Sequence, residues 1–170
     1  MSKSSVLLRA ALVTAVAATA AGLAAAPASA ASGNATHNGL TLSVSNATGL
    51  AAAGETITVT GSGYDAAKGY YVALCAVPAD YSYGAKPAPC AGGNGQGGTG
   101  VGPSAWVTNS AGGTSPIAAN GTFTTQIRIA RANSGLDCGD AAVTCAIISR
   151  RDHLSADDRT ADVFIPVSFS

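Results

Sequence analysis

The sequence predicts an all-β fold, a seven-stranded antiparallel β-sandwich of immunoglobulin-like architecture, and three observations carry that prediction. Short runs rich in Val, Ile, Thr and aromatic residues recur with period-two alternation, the spacing of a strand with one face buried. Gly, Asn, Asp or Pro punctuates the intervals between them. No stretch beyond residue 30 sustains a 3.6-residue apolar period over two turns. The chain has 170 residues, 47% hydrophobic and 11% charged. That length supports one compact domain and excludes a large multi-domain enzyme. Twenty-one glycines and few charges would suit disorder, but the β-branched runs argue against it.

Taken in order, the chain opens with a leader. Lys3 and Arg9 form a basic n-region, Val6 to Ala26 is almost wholly apolar, and Ala28-Ser29-Ala30 supplies a small-residue cleavage pattern. Residues 1–30 therefore read as a signal peptide. The Ala-rich segment Ala11 to Ala26 falls short of the roughly 20 strongly apolar residues of a spanning helix. No second apolar stretch of that kind follows, so no membrane anchor is expected and the product is secreted and extracellular. Residues 31–39, small and polar, read as a flexible N-terminal arm, and 40–170 as the sandwich domain.

The strands follow. Leu40-Thr41-Leu42-Ser43-Val44 and Thr56-Ile57-Thr58-Val59-Thr60 alternate apolar and polar residues, the second stopping at Gly61-Ser62-Gly63. Tyr70 to Val77 is a third run, ended by Pro78, and Ala105 to Thr108 a weaker fourth. Thr122 to Ile129 is entered through Asn120-Gly121, a turn signal. Val143 to Ser149 and Asp162 to Phe169 complete the set. Pro166 has no N–H for a ladder, which places the last strand at an edge or at a bulge. Neighbours on a strand point to opposite faces, so of Tyr70 and Tyr71 one packs in the core and the other faces a cleft or solvent.

Export sets how the four cysteines are read. An even count in an oxidising compartment implies two disulfides among Cys75, Cys90, Cys138 and Cys145. Three pairings are open, and nearest-neighbour pairing is the simplest. Each bridge would then close a short loop and stabilise by roughly 2–3 kcal/mol. A metal site is not expected, since no pair is spaced C-x-x-C and the only histidines are His37 and His153.

Charge and catalysis give weaker signals. Nine Lys+Arg less Lys3 and Arg9 leaves seven against nine Asp+Glu, a net of −2 beyond the leader. Such a domain has no electrostatic footprint for a phosphate backbone. His153, with Asp152, Asp157 and Asp158 flanking it and Ser149 or Ser155 nearby, is the one candidate base. Sequence neighbours on a loop do not make a triad, and the segment reads as solvated; no catalytic residue is expected. The same acidic segment lacks EF-hand spacing. Arg128 alternates with Ile127 and Ile129 and belongs on the solvent face.

Between Pro78 and Pro103 lies a segment too long for a hairpin turn, and such loops in compact domains are functional or disordered. Its glycine run has no GK[ST] ending and no helix after it, so it is no phosphate cradle. Tyr81 and Tyr83 inside this loop and Trp106 beside it are candidate ligand contacts, because aromatic faces supply area and geometry for a flat molecule.

In order along the chain, Gly61-Ser62-Gly63-Tyr64, Tyr71-Val72-Ala73-Leu74-Cys75-Ala76, Ala119-Asn120-Gly121-Thr122 with Ile127-Arg128-Ile129, Asp137-Cys138 through Cys145-Ala146-Ile147, and Val163 to Phe169 resemble the neocarzinostatin family. These are secreted actinomycete apoproteins that carry enediyne chromophores. The resemblance implies a cleft with Cys75 and Cys90 as the pocket disulfide, and aromatic rings stacked on a bound chromophore. Val77 stands where the best-known member has a tryptophan, and Asn133 falls near its phenylalanine; both join Tyr81, Tyr83 and Trp106 as candidate contacts. No cofactor is expected beyond a non-covalent apolar chromophore whose identity the sequence does not give. The resemblance further implies a monomeric carrier of a small apolar ligand. Its antibiotic and DNA-damaging effects would pass through that ligand, with DNA a partner only indirectly. The alternative is an extracellular adhesion or cell-envelope module of the same fold without a chromophore.

Overall fold

The computed structural model describes residues 31–93, 97–133 and 135–170; the expected signal peptide, residues 1–30, lies outside them. The strands are β1 (Ala31–His37), β2 (Leu40–Thr48), β3 (Glu55–Ser62), β4 (Tyr70–Val77), β5 (Ser104–Val107), β6 (Phe123–Ile129), β7 (Ala132–Asn133), β8 (Leu136–Asp137), β9 (Thr144–Arg151) and β10 (Val163–Pro166). Among the described residues the one helical element is a 3-10 turn at His153–Ser155. The protein is all-β, with one four-stranded sheet in the order β1-β2-β3-β6, another in the order β10-β9-β4-β5, and a β7–β8 ribbon. Every named strand pair is antiparallel.

The seven segments picked out from the sequence each carry a strand, and three departures have physical causes. Residues 31–39, read as a flexible arm, instead hold β1, paired along β2 from Ala31↔Thr48 to His37↔Leu40. The hairpin turns on Asn38 (φ 51°) and Gly39 (φ 79°), the paired positive φ values of a type I′ turn. Gly33 is needed in β1, since a Cβ there would lie 2.7 Å from Ile165 and 2.8 Å from Ala47. The two-residue strands β7 and β8 are too short to show as alternation. The last strand stops at Pro166, and the Ser168 and Ser170 N–H groups donate instead to Ala47 O in β2 and Leu50 O just past it, on the other sheet. β10 does lie at an edge of its sheet, as its proline requires.

Period-two alternation builds the core between the sheets. Leu42, Val44, Ile57, Val59, Ile127 and Ile129 face Tyr70, Val72, Leu74, Ile147, Val163 and Ile165 in one buried cluster. Tyr64, just past β3, packs edge-on against Tyr70 and Phe123, each at 4.9 Å. Its hydroxyl is 2.7 Å from Ser149 Oγ, which satisfies two buried polar groups at once. Burial pushes the Tyr64 phenol well above its ordinary range. The two disulfides are Cys75–Cys90 and Cys138–Cys145; the second ties the segment after β8 to the start of β9.

The two outer faces differ. On the β1-β2-β3-β6 sheet the outward positions are polar, with Thr56 and Arg128, Thr58 and Gln126, and Thr60 and Thr124 as cross-strand partners. That is the usual solvent side of an antiparallel sheet. The outer face of the β10-β9-β4-β5 sheet carries an apolar patch as well as its inner one.

Candidate functional site

On β4 and β9 the register sets the outer face out in rows. Cys75 pairs with Ala146, Ala73 with Ile148 and Tyr71 with Arg150. Phe164 on β10 pairs with Ile148, and Trp106 on β5 pairs with Tyr71. The middle rows form a second buried cluster of Ala73, Cys75, Cys90, Ala146, Ile148 and Phe164, with Val77 and Tyr81 packed against it. Ala73, Cys75 and Ala146 are small, so they make a low floor with Ile148 and Phe164 rising beside them.

The cover is the segment after β4. Ala88 N–H donates to Ala76 O, Ala76 N–H to Pro89 O and Ala91 N–H to Leu74 O, so residues 88–91 run back along β4 where β5 has not yet begun. Cys75 and Cys90 thereby sit directly opposite and form their disulfide on the outer face. Tyr81 adopts φ 55°, a left-handed conformation rare for a bulky residue and found where surrounding structure over-determines it. Tyr83 lies between two rings. It stacks on His37 at 3.6 Å with planes 2° apart, and on Phe164 at 4.6 Å. His37 is held in turn by Nδ1–H donating to Asp162 O at 2.8 Å. The loop thus lies down on the face, leaving a groove of about 250 Å3 over the disulfide, lined by Lys86, Pro87, Cys90, Gly93 and Arg150. A second space of about 210 Å3 lies beside Val77, Pro78 and Ala85.

Below the floor the face turns polar. Trp106 Nε1 donates to Asp152 Oδ2 at 3.1 Å, and the Tyr71 hydroxyl lies 2.7 Å from His153 Nδ1. Arg150 covers the Tyr71 ring at 5.3 Å, a cation–π contact. Beyond Arg150, Asp162 is fully buried and takes Arg159 Nη1 at 3.2 Å. Burial pushes the Asp162 carboxyl up to about 6, against the pull of Arg159 and Arg150. Gly69 closes this corner, since a Cβ there would meet Asp152 Oδ2 at 1.9 Å.

The sequence-chosen residues are distributed unevenly over this geometry. Tyr81, Tyr83 and Val77 come together at the disulfide floor. Trp106 is on the same face two rows away, engaged with Asp152 and His153. Asn133 is in the β7–β8 ribbon, where its side-chain amide donates to Ala130 O at 2.8 Å. Of the five candidate contacts, Val77 lines a groove on this face, and Tyr81, Tyr83, Trp106 and Asn133 line neither. The candidate base His153 is bonded to Tyr71, while Ser149 points to the opposite face and bonds Tyr64 and Ala161 O. Ser155 Oγ accepts from Arg151. Sequence reasoning missed Phe164, Ile148, Ala146, His37 and Arg150. The signal for the first three was present, because Cys145 to Ile148 and Val163 to Ile165, like Tyr70 to Val77 beside them, are unbroken apolar runs, the mark of strands buried on both faces.

The sequence profile of the Neocarzinostatin family matches residues 42–168. A solved structure named macromomycin is 20% identical, covers 77% of this chain and 99% of its own, and superposes with a TM-score of 0.48. No curated protein sequence matches the chain.

Proposed function

The chain belongs to the neocarzinostatin family, and from that membership we propose that it is an exported carrier of a small, largely apolar molecule. The ligand lies in the groove over Cys75–Cys90, with the 78–93 segment as its cover. The observation that supports this reading best is the double-sided apolar character of β4 and β9. An outer sheet face that meets water is polar on the other sheet, whereas here Ala73, Cys75, Ala146, Ile148 and Phe164 form a dry surface that needs a cover. Tyr81 packs against this surface from the cover, and Tyr83, stacked between His37 and Phe164, holds the cover down beside the groove. Lys86 and Arg150 on the groove wall add donors that would fix the ligand's orientation. In this reading the protein does no chemistry, and any antibacterial or DNA-damaging effect belongs to the ligand.

The test is native mass spectrometry with an absorption spectrum on the protein secreted by its own host and kept cold and dark. A bound mass, with a band beyond the protein's own near-ultraviolet absorption, supports the carrier. A bare mass lower than the reduced chain by four hydrogens, from fresh material, overturns it and favours an envelope-adhesion module. The hydroxyl-rich outer face of the β1-β2-β3-β6 sheet is the feature that would serve that second role.

A further inference from the structure

A space of about 390 Å3, larger than either groove on the disulfide face, lies on the other side of the molecule beside β6, the last strand of its sheet. Thr58, Thr124 and Gln126 form its base. Thr58 and Gln126 are cross-strand partners, and Thr124 is two residues from Gln126 on the same strand face. Thr99, Val101 and Ser115 stand at its sides. The walls are pinned by hydrogen bonds. Arg128 N–H donates to Gly102 O at 2.8 Å, Thr108 N–H to Ser115 O at 2.9 Å, and Ser115 Oγ–H to Thr125 Oγ1 at 2.9 Å.

Two properties of this lining select a ligand class. Among the described residues, no charged one contributes to it. The side-chain hydroxyls of Thr58, Thr99 and Thr124 and the amide of Gln126 line the groove, and Thr99, Thr124 and Gln126 are exposed. A hydroxyl or a carboxamide both donates and accepts, so four such groups on a concave surface match a molecule whose own groups do the same. An anion or an ammonium would find no counter-charge and would lose hydration on entry. Val101, 48% exposed, adds an apolar contact at the rim. The volume lies within the range of small-molecule sites.

We infer that this groove binds an uncharged sugar ring, with Thr58, Thr124 and Gln126 hydrogen-bonding its hydroxyls and Val101 against its C–H face. The site is separate from the disulfide face and independent of whether that face carries a ligand. Maltose, cellobiose and N-acetylglucosamine are titrated separately into the 15N-labelled protein, with glucuronate and glucosamine as charged controls. A neutral sugar is expected to shift the amides of Thr58, Val101, Thr124 and Gln126 saturably. Thr124→Val and Gln126→Ala, both at exposed positions, are each expected to weaken that binding about 2- to 10-fold, the range for one lost hydrogen bond. Both should leave the rest of the spectrum in place. Response to the monosaccharide alone marks a single-ring site, and stronger response to a disaccharide marks one that extends along β6; either supports the inference. It is overturned if none of the three neutral sugars shifts these amides, if the shifts map elsewhere, if they survive the double variant, or if the charged controls bind equally.

Discussion

Replacing Tyr83 by alanine tests whether the cover over the disulfide face is held by ring stacking. Tyr83 makes two ring contacts, with His37 at 3.6 Å and Phe164 at 4.6 Å. Aromatic pairs contribute about 0.5–1.5 kcal/mol each beyond buried area. Tyr83 is 39% exposed, so most of its surface is buried and truncation gives up that area as well. The expected cost is therefore about 2–4 kcal/mol, stacking and lost burial together. In urea that moves the midpoint down by about 1–2 M for a domain of this size. Far-ultraviolet circular dichroism reads it, and an apolar dye such as ANS reads the second consequence, since a loosened cover exposes Ala73, Cys75 and Ala146. Tyr83→Phe keeps both stacks and is expected to stay within about 0.5 kcal/mol of the parent. An alanine variant with an unchanged midpoint and no added dye binding would refute the idea that the stack holds the loop down.

The other predictions rest on equally local features. Removing Cys75–Cys90 by paired alanines is expected to cost about 3 kcal/mol, and removing Cys138–Cys145 about 2.4, because the spans are 15 and 7 residues in the loop-entropy account; equilibrium unfolding of the two double variants ranks them. Asp162 has a carboxyl pushed up from 3.8 to about 6 by burial. A raised carboxyl favours the folded state below the unfolded value and loses that stabilisation as pH rises through the folded one. Stability from this group should therefore fall by about 3 kcal/mol between about pH 4 and pH 6, and in Asp162→Asn that part of the pH profile should flatten. Gly69→Ala drives a methyl to within 1.9 Å of Asp152 Oδ2 and 3.0 Å of Trp106 Nε1. It should break the indole hydrogen bond, cost at least about 1 kcal/mol, and shift the emission of the lone tryptophan.

The inward faces were legible because alternation is a local property. Leu42, Val44, Ile57, Val59 and Ile127 announce their side of the sheet by spacing alone, and the structure buries all five. The turn at Asn38-Gly39 was equally local but lay beside a strand with no large apolar residue. β1 takes its place from small residues fitting against Ile165 and Ala47, which no periodicity reports. The candidate site was legible only in part. Tyr81 and Tyr83 stood out by type, but the residues they meet come from β1, β4, β9 and β10, and only the register across β4 and β9 brings those together. Asn133 was chosen because it falls near a phenylalanine of the best-known family member. The ribbon that holds it turns its amide back on Ala130, so position in sequence did not carry over to position at the groove.

One connection serves both candidate sites, which makes their independence testable. Residues 88–91 pair with β4 and carry Cys90, whereas Gly102 is hydrogen-bonded to β6 and Thr99 and Val101 wall the polar groove. The first half of the loop is fastened by the disulfide and the Tyr83 stack, the second by the Gly102 bond and the return into β5. Loss of Cys75–Cys90 frees the first fastening and leaves the second. A Cys75→Ala/Cys90→Ala variant should bind more apolar dye than the parent while the Gln126 and Thr124 amides keep their positions. If those amides move with the dye signal, the loop lifts as one piece, and whatever enters over the disulfide floor would also reshape the groove on the opposite sheet. That outcome would couple two surfaces that share no side chain, through backbone alone.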